Sequence, residues 1–451
     1  MKKQPNILIL YCDQMQHNRM GFVDGIAHTP NLDRLAAEGI HFTHAITQQG
    51  QCVPSRAVLL TGQSAHECGV MINYGFYGHR NMLTTMHNTL PKVLKEVGYE
   101  TAWFGKGHLG SPLKELGFDY GLYSEHLDLT SDKLRRFYDE DCVSIDETLK
   151  FLRSRKKPDN PLFLTVSTNA PHPPFRCMDD YIDWFPESEM KLEDSYYEEN
   201  FTDKPEFQRK RSEWALETGM TEAEFKKSQA YYYSMIAQND ELLGLIIDEF
   251  KRQGKWDNTI VLFTSDHGEM LGAHRIINKG TFPYDELYRI PCILKPATGT
   301  EYSRRVIDDL ISSQAYAGTL LKLAGLDVPK SFTGGNFAAA LERDCHPENE
   351  YVFFEHYASH WGRHPFYGIR TRTSKYVRYY GEDNTEELYD LGNDPLELNN
   401  KAFDPAWAEM KNSLKKKADQ WWRNTRGKGA GYYETPDFIA NKHNQPKVLE
   451  L

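Results

Sequence analysis

No apolar run in this sequence approaches the roughly 20 residues that a membrane-spanning helix needs. The early run Ile7-Leu8-Ile9-Leu10, behind Lys2 and Lys3, is too short for a secretory core, and no small-residue cleavage site follows it. Tyr11 is too bulky for a lipoprotein box ahead of Cys12. A disulfide scaffold finds no support either, since the seven cysteines are odd in number and scattered over 451 residues. Positive charge is not in excess. The formal net charge of -11 argues against a general nucleic-acid or polyanion surface, although it leaves room for a basic pocket. Internal repeats and low-complexity tracts are missing. The expectation is a cytoplasmic protein that engages neither membrane nor nucleic acid.

What is present is ordinary globular material, 40% apolar and 26% charged, in a chain long enough for two domains. Four short apolar runs each end in chemically capable residues. Asn6–Tyr11 leads into Asp13-Gln14, Glu100–Phe104 into Gly105-Lys106-Gly107-His108, Leu162–Ser167 into Asn169-Ala170-Pro171-His172, and Thr259–Thr264 into Ser265-Asp266-His267-Gly268. Such runs read as central strands of a helix-covered sheet. Helices are predicted between them over Pro30–Gly39, Pro91–Gly98 and Lys227–Gln253. Alternation of the two implies an α/β domain whose ligands bind at the carboxyl ends of the strands. All four clusters should therefore share one site.

Asp179–Glu224 is polar with little periodicity and reads as a long excursion over the active-site face. From about Asn349 the pattern changes to short strands at Tyr351–Phe354, Gly368–Arg372, Lys375–Tyr379 and Glu387–Asp390, then a helix from about Pro405 to Trp422. The expected division is a larger domain over residues 1–348 and a smaller α+β domain over 349–451. A tail beyond Gly427 should wrap the surface or a neighbouring subunit, leaving a homo-oligomer open.

Cys52 precedes a helix predicted over Ser55–Thr61, whose free N–H groups and dipole favour an anion. Arg56, one turn on, can reach an anion held there. Position alone leaves a buried structural cysteine and a thiolate nucleophile about equally supported.

The letters around it are more specific. Cys52-Val53-Pro54-Ser55-Arg56-Ala57-Val58-Leu59-Leu60-Thr61-Gly62 resembles, without a gap, the sulfatase signature in which cysteine is oxidised to formylglycine. The resemblance extends along the chain. Gly105-Lys106-Gly107-His108-Leu109-Gly110, Ala170-Pro171-His172-Pro173-Pro174-Phe175 and Ser265-Asp266-His267-Gly268-Glu269-Met270-Leu271-Gly272 with Lys279 beyond are similar to family segments. So is Glu387-Leu388-Tyr389-Asp390-Leu391 followed by Asp394-Pro395.

The resemblance implies an alkaline-phosphatase-like mixed sheet flanked by helices, with a smaller C-terminal α+β domain. It implies hydrolysis of a sulfate monoester by a formylglycine hydrate formed from Cys52, through a sulfate hemiester that collapses to the aldehyde. One divalent metal would be held by Asp13, Gln14, residue 52, Asp266 and His267 and act as a Lewis acid. Arg56, Lys106 and Lys279 would supply positive charge, His108 would lie beside the nucleophile, and His172 would protonate the leaving oxygen or bind sulfate. A formylglycine-generating or anaerobic sulfatase-maturating enzyme is an implied partner, and a small-molecule or saccharide sulfate ester the implied substrate.

Gln14 and His267 depart from the commonest pattern, in which acid and amide oxygens bind calcium. A histidine nitrogen shifts preference toward manganese, zinc or iron. The Asp-Gln plus Asp-His pairing resembles the phosphonate monoester hydrolase and choline-sulfatase-like branches. A phosphonate monoester or phosphate diester is therefore the alternative substrate, and a catalytically silent sulfatase-like binding protein a third possibility.

Weaker candidates remain. The loop Asn73–Arg80 either lines the pocket or is plain surface. His356, His360, Trp361, Arg363 and His364 either close over the leaving group or form a domain interface. Cys12 reads as core, and Cys68, Cys142, Cys177, Cys292 and Cys345 carry no motif.

Overall fold

The apolar runs of the sequence become strands because each can be buried on both faces. A computed structural model describes residues 4–124, 140–299, 306–341, 350–381 and 383–444, so Cys345 lies outside the described residues. Nine strands form one mixed sheet: β1 (Asn6–Cys12), β2 (Ile40–Ile46), β3 (Glu100–Gly105), β4 (Tyr120–Tyr123), β5 (Leu162–Ser167), β6 (Thr259–Ser265), β7 (Arg289–Ile290), β8 (Cys292–Lys295) and β9 (Val306–Ser312). Their order is β4-β3-β5-β1-β6-β8-β2-β7, with β9 paired to β2.

The four strands expected from sequence are neighbours, β3-β5-β1-β6, and every pairing among them is parallel. Their carboxyl ends therefore lie side by side. Each is buried along its whole length. In β1, Ile7 and Ile9 join the core on one face while Leu8 and Leu10 join the core on the other. Burying each such side chain contributes about 1.5–3 kcal/mol, which makes the strand ends rigid mounts. Pro30–Glu38, Glu140–Ser154 and Glu222–Arg252 cover one face, and Cys52–Thr61, Leu90–Glu96 and Tyr316–Leu323 the other.

A second sheet, β10 (Tyr351–His356), β11 (Phe366–Thr371), β12 (Ser374–Tyr379) and β13 (Glu386–Asp390), is antiparallel throughout. The helix Ala408–Asn424 lays Leu414, Ala418 and Trp422 against it. The tail then returns over the same chain, where Ile439 accepts the Arg80 N–H at 2.8 Å and Phe438 the Asn81 amide at 2.9 Å.

Two expectations need correction. Asp179–Glu224 is not a loose excursion but holds short helices and the twelve-residue helix Glu206–Glu217. That helix shows weak periodicity because its buried groups are mostly polar, Gln208 and Arg211 among them, with partners from distant segments. The long helix begins at Glu222 rather than Lys227, where Thr221 accepts the Glu224 N–H and caps it. Among the described residues no helix is long and apolar enough to cross a membrane.

Candidate active site

Asp13 leaves the end of β1 and Asp266 the end of β6, adjacent strands whose last paired residues are Cys12 and Ser265. Both carboxylates are fully buried. Gln14 turns away in a left-handed conformation, φ 69°, with its backbone N–H on Asp266 at 3.0 Å. The adjoining His267 is oriented by its neighbour. Nδ1 lies 2.8 Å from the Gly268 carbonyl and donates to it, while Nε2 faces Cys52 Sγ at 3.3 Å; burial disfavours the charged ring, yet Asp266 and Cys52 raise its pKa.

Cys52 is the first residue of its helix, which starts there rather than at Ser55. Sγ is buried, 3.8 Å from Asp13 Oδ1. Burial opposes a thiolate, yet Lys279, Lys106 and His267 together pull the pKa of this sulfur well below that of an ordinary thiol. His108 and His172 also hydrogen-bond it. The site is thus a cradle for a negative group at position 52.

The β3 end supplies Lys106 through a tight approach. Gly105 has φ 100°, and a Cβ there would sit 1.9 Å from the Ser167 carbonyl of β5. The following Lys106 reaches Asp13 Oδ2 at 2.7 Å. Burial disfavours its charge, but Asp13 and Cys52 hold its pKa above the usual lysine value. Lys279 donates to Gln14 Oε1 at 2.5 Å. His172 stands with Nε2 4.0 Å from Asp13 Oδ1, and burial together with Lys279 lowers its pKa. Burial and the repulsion of Asp13 push the Asp266 carboxyl up. Lys106, His172 and Lys279 hold Asp13 down against burial.

Arg56 sits differently from the sequence reading. It is completely buried and donates to Asp266 Oδ2 at 3.1 Å, Asp13 Oδ2 at 3.0 Å, the Lys106 carbonyl at 2.8 Å and Ser167 Oγ at 2.7 Å. Its fork is spent on binding the ends of β1, β3, β5 and β6 together instead of facing an incoming anion. One turn along a helix that is buried all round leads inward, a fact that spacing alone does not carry.

One donor atom each from Asp13, Cys52, Asp266 and His267 lies within 4.8 Å of the others. Ligands sharing one ion at about 2.0–2.6 Å have such separations, so the donor set fits a divalent cation. Gln14 borders it, its carbonyl oxygen on Lys279 with a second lone pair to spare.

Several supporting residues escaped the sequence reading. Glu269 is buried and accepts from the Gln14 amide, the Leu271 N–H and the Asn278 N–H, which orients Gln14. Asp141 accepts the Asn169 N–H at 2.6 Å and the Ala170 N–H at 2.8 Å, fixing the loop that carries His172. Asn73, the first residue of the loop Asn73–Arg80 that the sequence offered as a weak candidate, accepts the Val53 N–H at 3.0 Å at the start of the nucleophile helix. For Glu269 the motif context was the only available signal. Asp141 and Asn73 meet their partners only in the fold.

The second-sheet cluster divides. His356 is buried against Phe366, Arg363 pairs with Glu434 at 3.1 Å, and His364 pairs with Asp383 at 2.7 Å. Trp361 reaches the site itself, donating to the Lys279 carbonyl at 3.0 Å. Cys12 is core, its sulfur accepting from Asn239 at 3.1 Å.

Comparison with known proteins places this arrangement. The family model for sulfatases matches residues 5–326. The chain belongs to the sulfatase family, whose chemistry is sulfuric-ester hydrolysis. Residues 272–424 also match the model described as N-sulphoglucosamine sulphohydrolase, C-terminal. The sulfatase is 30% identical over 449 residues to the uncharacterized sulfatase YidJ of Escherichia coli (strain K12), covering 91% of this chain and 86% of that one. A protein solved in complex with its substrate D-glucosamine-2-N,6-O-disulfate has the same fold, with TM-score 0.81, 22% identity and coverage of 94% and 98%. So does the phosphonate monoester hydrolase of Agrobacterium radiobacter, with TM-score 0.78, 23% identity and coverage of 93% and 96%.

Proposed function

We propose that this sulfatase hydrolyses sulfate monoesters of small molecules or saccharides with residue 52, converted from cysteine to formylglycine, as its nucleophile. The observation that carries the reading is the position of Cys52. Its sulfur lies 3.3 Å from His267 Nε2 and 3.8 Å from Asp13 Oδ1, at a helix N-terminus and under the charges of Lys106 and Lys279. Formylglycine hydrate there would supply two hydroxyls, one to attack sulfur and one whose deprotonation expels sulfate. Asp13, Asp266 and His267, with Gln14 at the border, would hold a divalent cation, and that ion would act as a Lewis acid on a sulfate oxygen.

The chain's own groups do the rest. Lys106 and Lys279 set fixed positive charge beside residue 52, where the transferring group gathers negative charge. His108 orients the nucleophile. His172, half-buried and bonded toward position 52, is placed to protonate the leaving oxygen. Arg56 keeps the two carboxylates in register. We assign this chemistry to residues 1–348 and a covering role to 349–451.

Peptide mass measurement over residue 52 tests the nucleophile, because conversion to formylglycine lowers the residue mass in a way that no sulfenic acid or disulfide reproduces. An active preparation that retains only thiol would overturn the reading. A second substrate class has one specific support, the Asp13-Gln14 with Asp266-His267 pairing, shared chemistry for singly charged phosphonate monoesters. Rates on paired aryl sulfate and aryl phosphonate esters, with calcium, manganese and zinc added in turn, rank the two.

A further inference from the structure

The turn between β10 and β11, residues 357–365, does not stay over its own sheet. Trp361 is anchored to the catalytic segment by its bond to the Lys279 carbonyl. Its indole lies 3.6 Å from the guanidinium of Arg211, which is itself buried and 4.2 Å from the Trp214 ring. His360 follows, with its ring centroid 4.1 Å from that of Trp361. Phe76 stacks on His360 at 5.7 Å, the ring planes 26° apart. Phe76 in turn belongs to the loop opened by Asn73, whose side chain takes the Val53 N–H of the nucleophile helix. A row of rings thus runs from Lys279 to the Cys52 helix, and His360 stands within it.

Packing explains Trp361 and Phe76, and any flat ring would serve for that. It does not explain an imidazole. The His360 side chain is exposed, and among the described residues neither ring nitrogen has a hydrogen-bond partner. Partial burial, with Lys279 and Arg211 nearby, pushes its pKa down to about 4, so the ring is neutral at neutral pH. A neutral imidazole offers one N–H and one lone pair, so it can either donate to a hydroxyl oxygen or accept a hydroxyl proton. Held between aromatic neighbours, it offers them in a preset direction at little entropic cost.

We propose that His360 is a specificity-determining residue that hydrogen-bonds a hydroxyl of the leaving alcohol, so that sulfate esters of sugars and polyols are preferred to those of simple aryl alcohols. This rests on the sulfate-ester reading above. A site built to bond a hydroxyl rejects the analogue that lacks it, because its own polar group is then left unpaired.

The test uses the full chain with formylglycine verified by mass, assayed on nitrophenyl sulfate and on a panel of monosaccharide sulfates. Wild type is compared with His360→Ala and with His360→Phe, which keeps the ring row and removes both nitrogens. The expected result is a wild-type preference for a monosaccharide sulfate. Each variant then loses kcat/KM on that substrate by roughly 2- to 10-fold more than on nitrophenyl sulfate, the net worth of one neutral hydrogen bond. Equal losses on both substrates overturn the inference, as does a wild type that turns over nitrophenyl sulfate but no monosaccharide sulfate. Either outcome leaves the sulfatase reading standing. Absence of turnover of every sulfate ester by the formylglycine form overturns that reading and this inference together.

Discussion

Lys279 Nζ donates to Gln14 Oε1 at 2.5 Å, joining the loop after β6 to the end of β1 directly beside position 52. Glu269 holds the other end of the same amide. The glutamine is thereby oriented, carbonyl toward Lys279 and N–H toward the acid, an orientation that would make it a dependable ligand of the proposed cation.

Glu269→Ala should therefore weaken metal retention without removing a direct ligand. A fall in cation affinity of roughly 10- to 100-fold is expected, as for other groups that orient ligands. Metal content after graded dialysis, read by elemental analysis, measures it. Retention equal to wild type would show that Gln14 needs no such support.

Replacing the nucleophile should be far more severe. Cys52→Ala should lower turnover by at least about a thousandfold, the usual scale for loss of a covalent nucleophile. Circular dichroism should show the fold retained, because position 52, though buried, opens its helix and faces the polar site rather than the hydrophobic core. Residual turnover near wild type would remove residue 52 from the mechanism.

Asp141 is expected to act through His172. Asp141→Ala strips two backbone N–H groups of their acceptor, a loss of about 1–3 kcal/mol in stability for buried groups left unpaired. The loop carrying His172 would then be loosened, so kcat should fall more than the melting temperature implies. Substrates with good leaving groups, which need little protonation, should be affected least.

Acid stability gives an independent check on the packed excursion. Burial works against the Glu199 carboxylate, yet His274 and Lys204 hold its pKa at about 2, and burial pushes His274 down to about 4. Both folded values lie below the ordinary ones of 4.5 and 6.5, so the folded state binds fewer protons than the unfolded. Their contribution is full above about pH 6.5. It declines as pH falls, first through His274 and then through Glu199, by on the order of 3 kcal/mol each. Thermal melts from pH 7 to pH 4 should show a shallower decline for His274→Asn than for wild type. Parallel slopes would disprove the assignment.

Removal of the cation should abolish turnover and lower the melting temperature. Binding to the native state alone stabilises by about 2.7 kcal/mol at a hundredfold excess over Kd. Re-addition of calcium or manganese should restore both readouts, and the more effective ion identifies the preference set by His267.

The central sheet was legible because its chemistry is one-dimensional. Continuous burial demands continuous apolar letters, so β1, β3, β5 and β6 could be read directly, and parallel strands put their ends in one place. Asp13, Lys106, His172 and Asp266 were found by that rule, and Cys52 by the letters of its signature. Strands β2, β4, β7, β8 and β9 were not legible, because β4, β7 and β8 have two to four residues, β2 mixes histidines with apolar residues and β9 carries Asp308 and Asp309 in its middle.

The sequence by itself determined which chemically capable residues gather at one edge of a sheet. Only the tertiary structure decided which way they face. Arg56 turns inward because its helix is buried on every side, and Gln14 points by virtue of Glu269. His360 is carried beside the Lys279 segment because Trp361, against which its ring packs, is tied to the Lys279 carbonyl. Periodicity records whether a residue is buried, while the partner it meets depends on chain segments that are distant in sequence and set by packing.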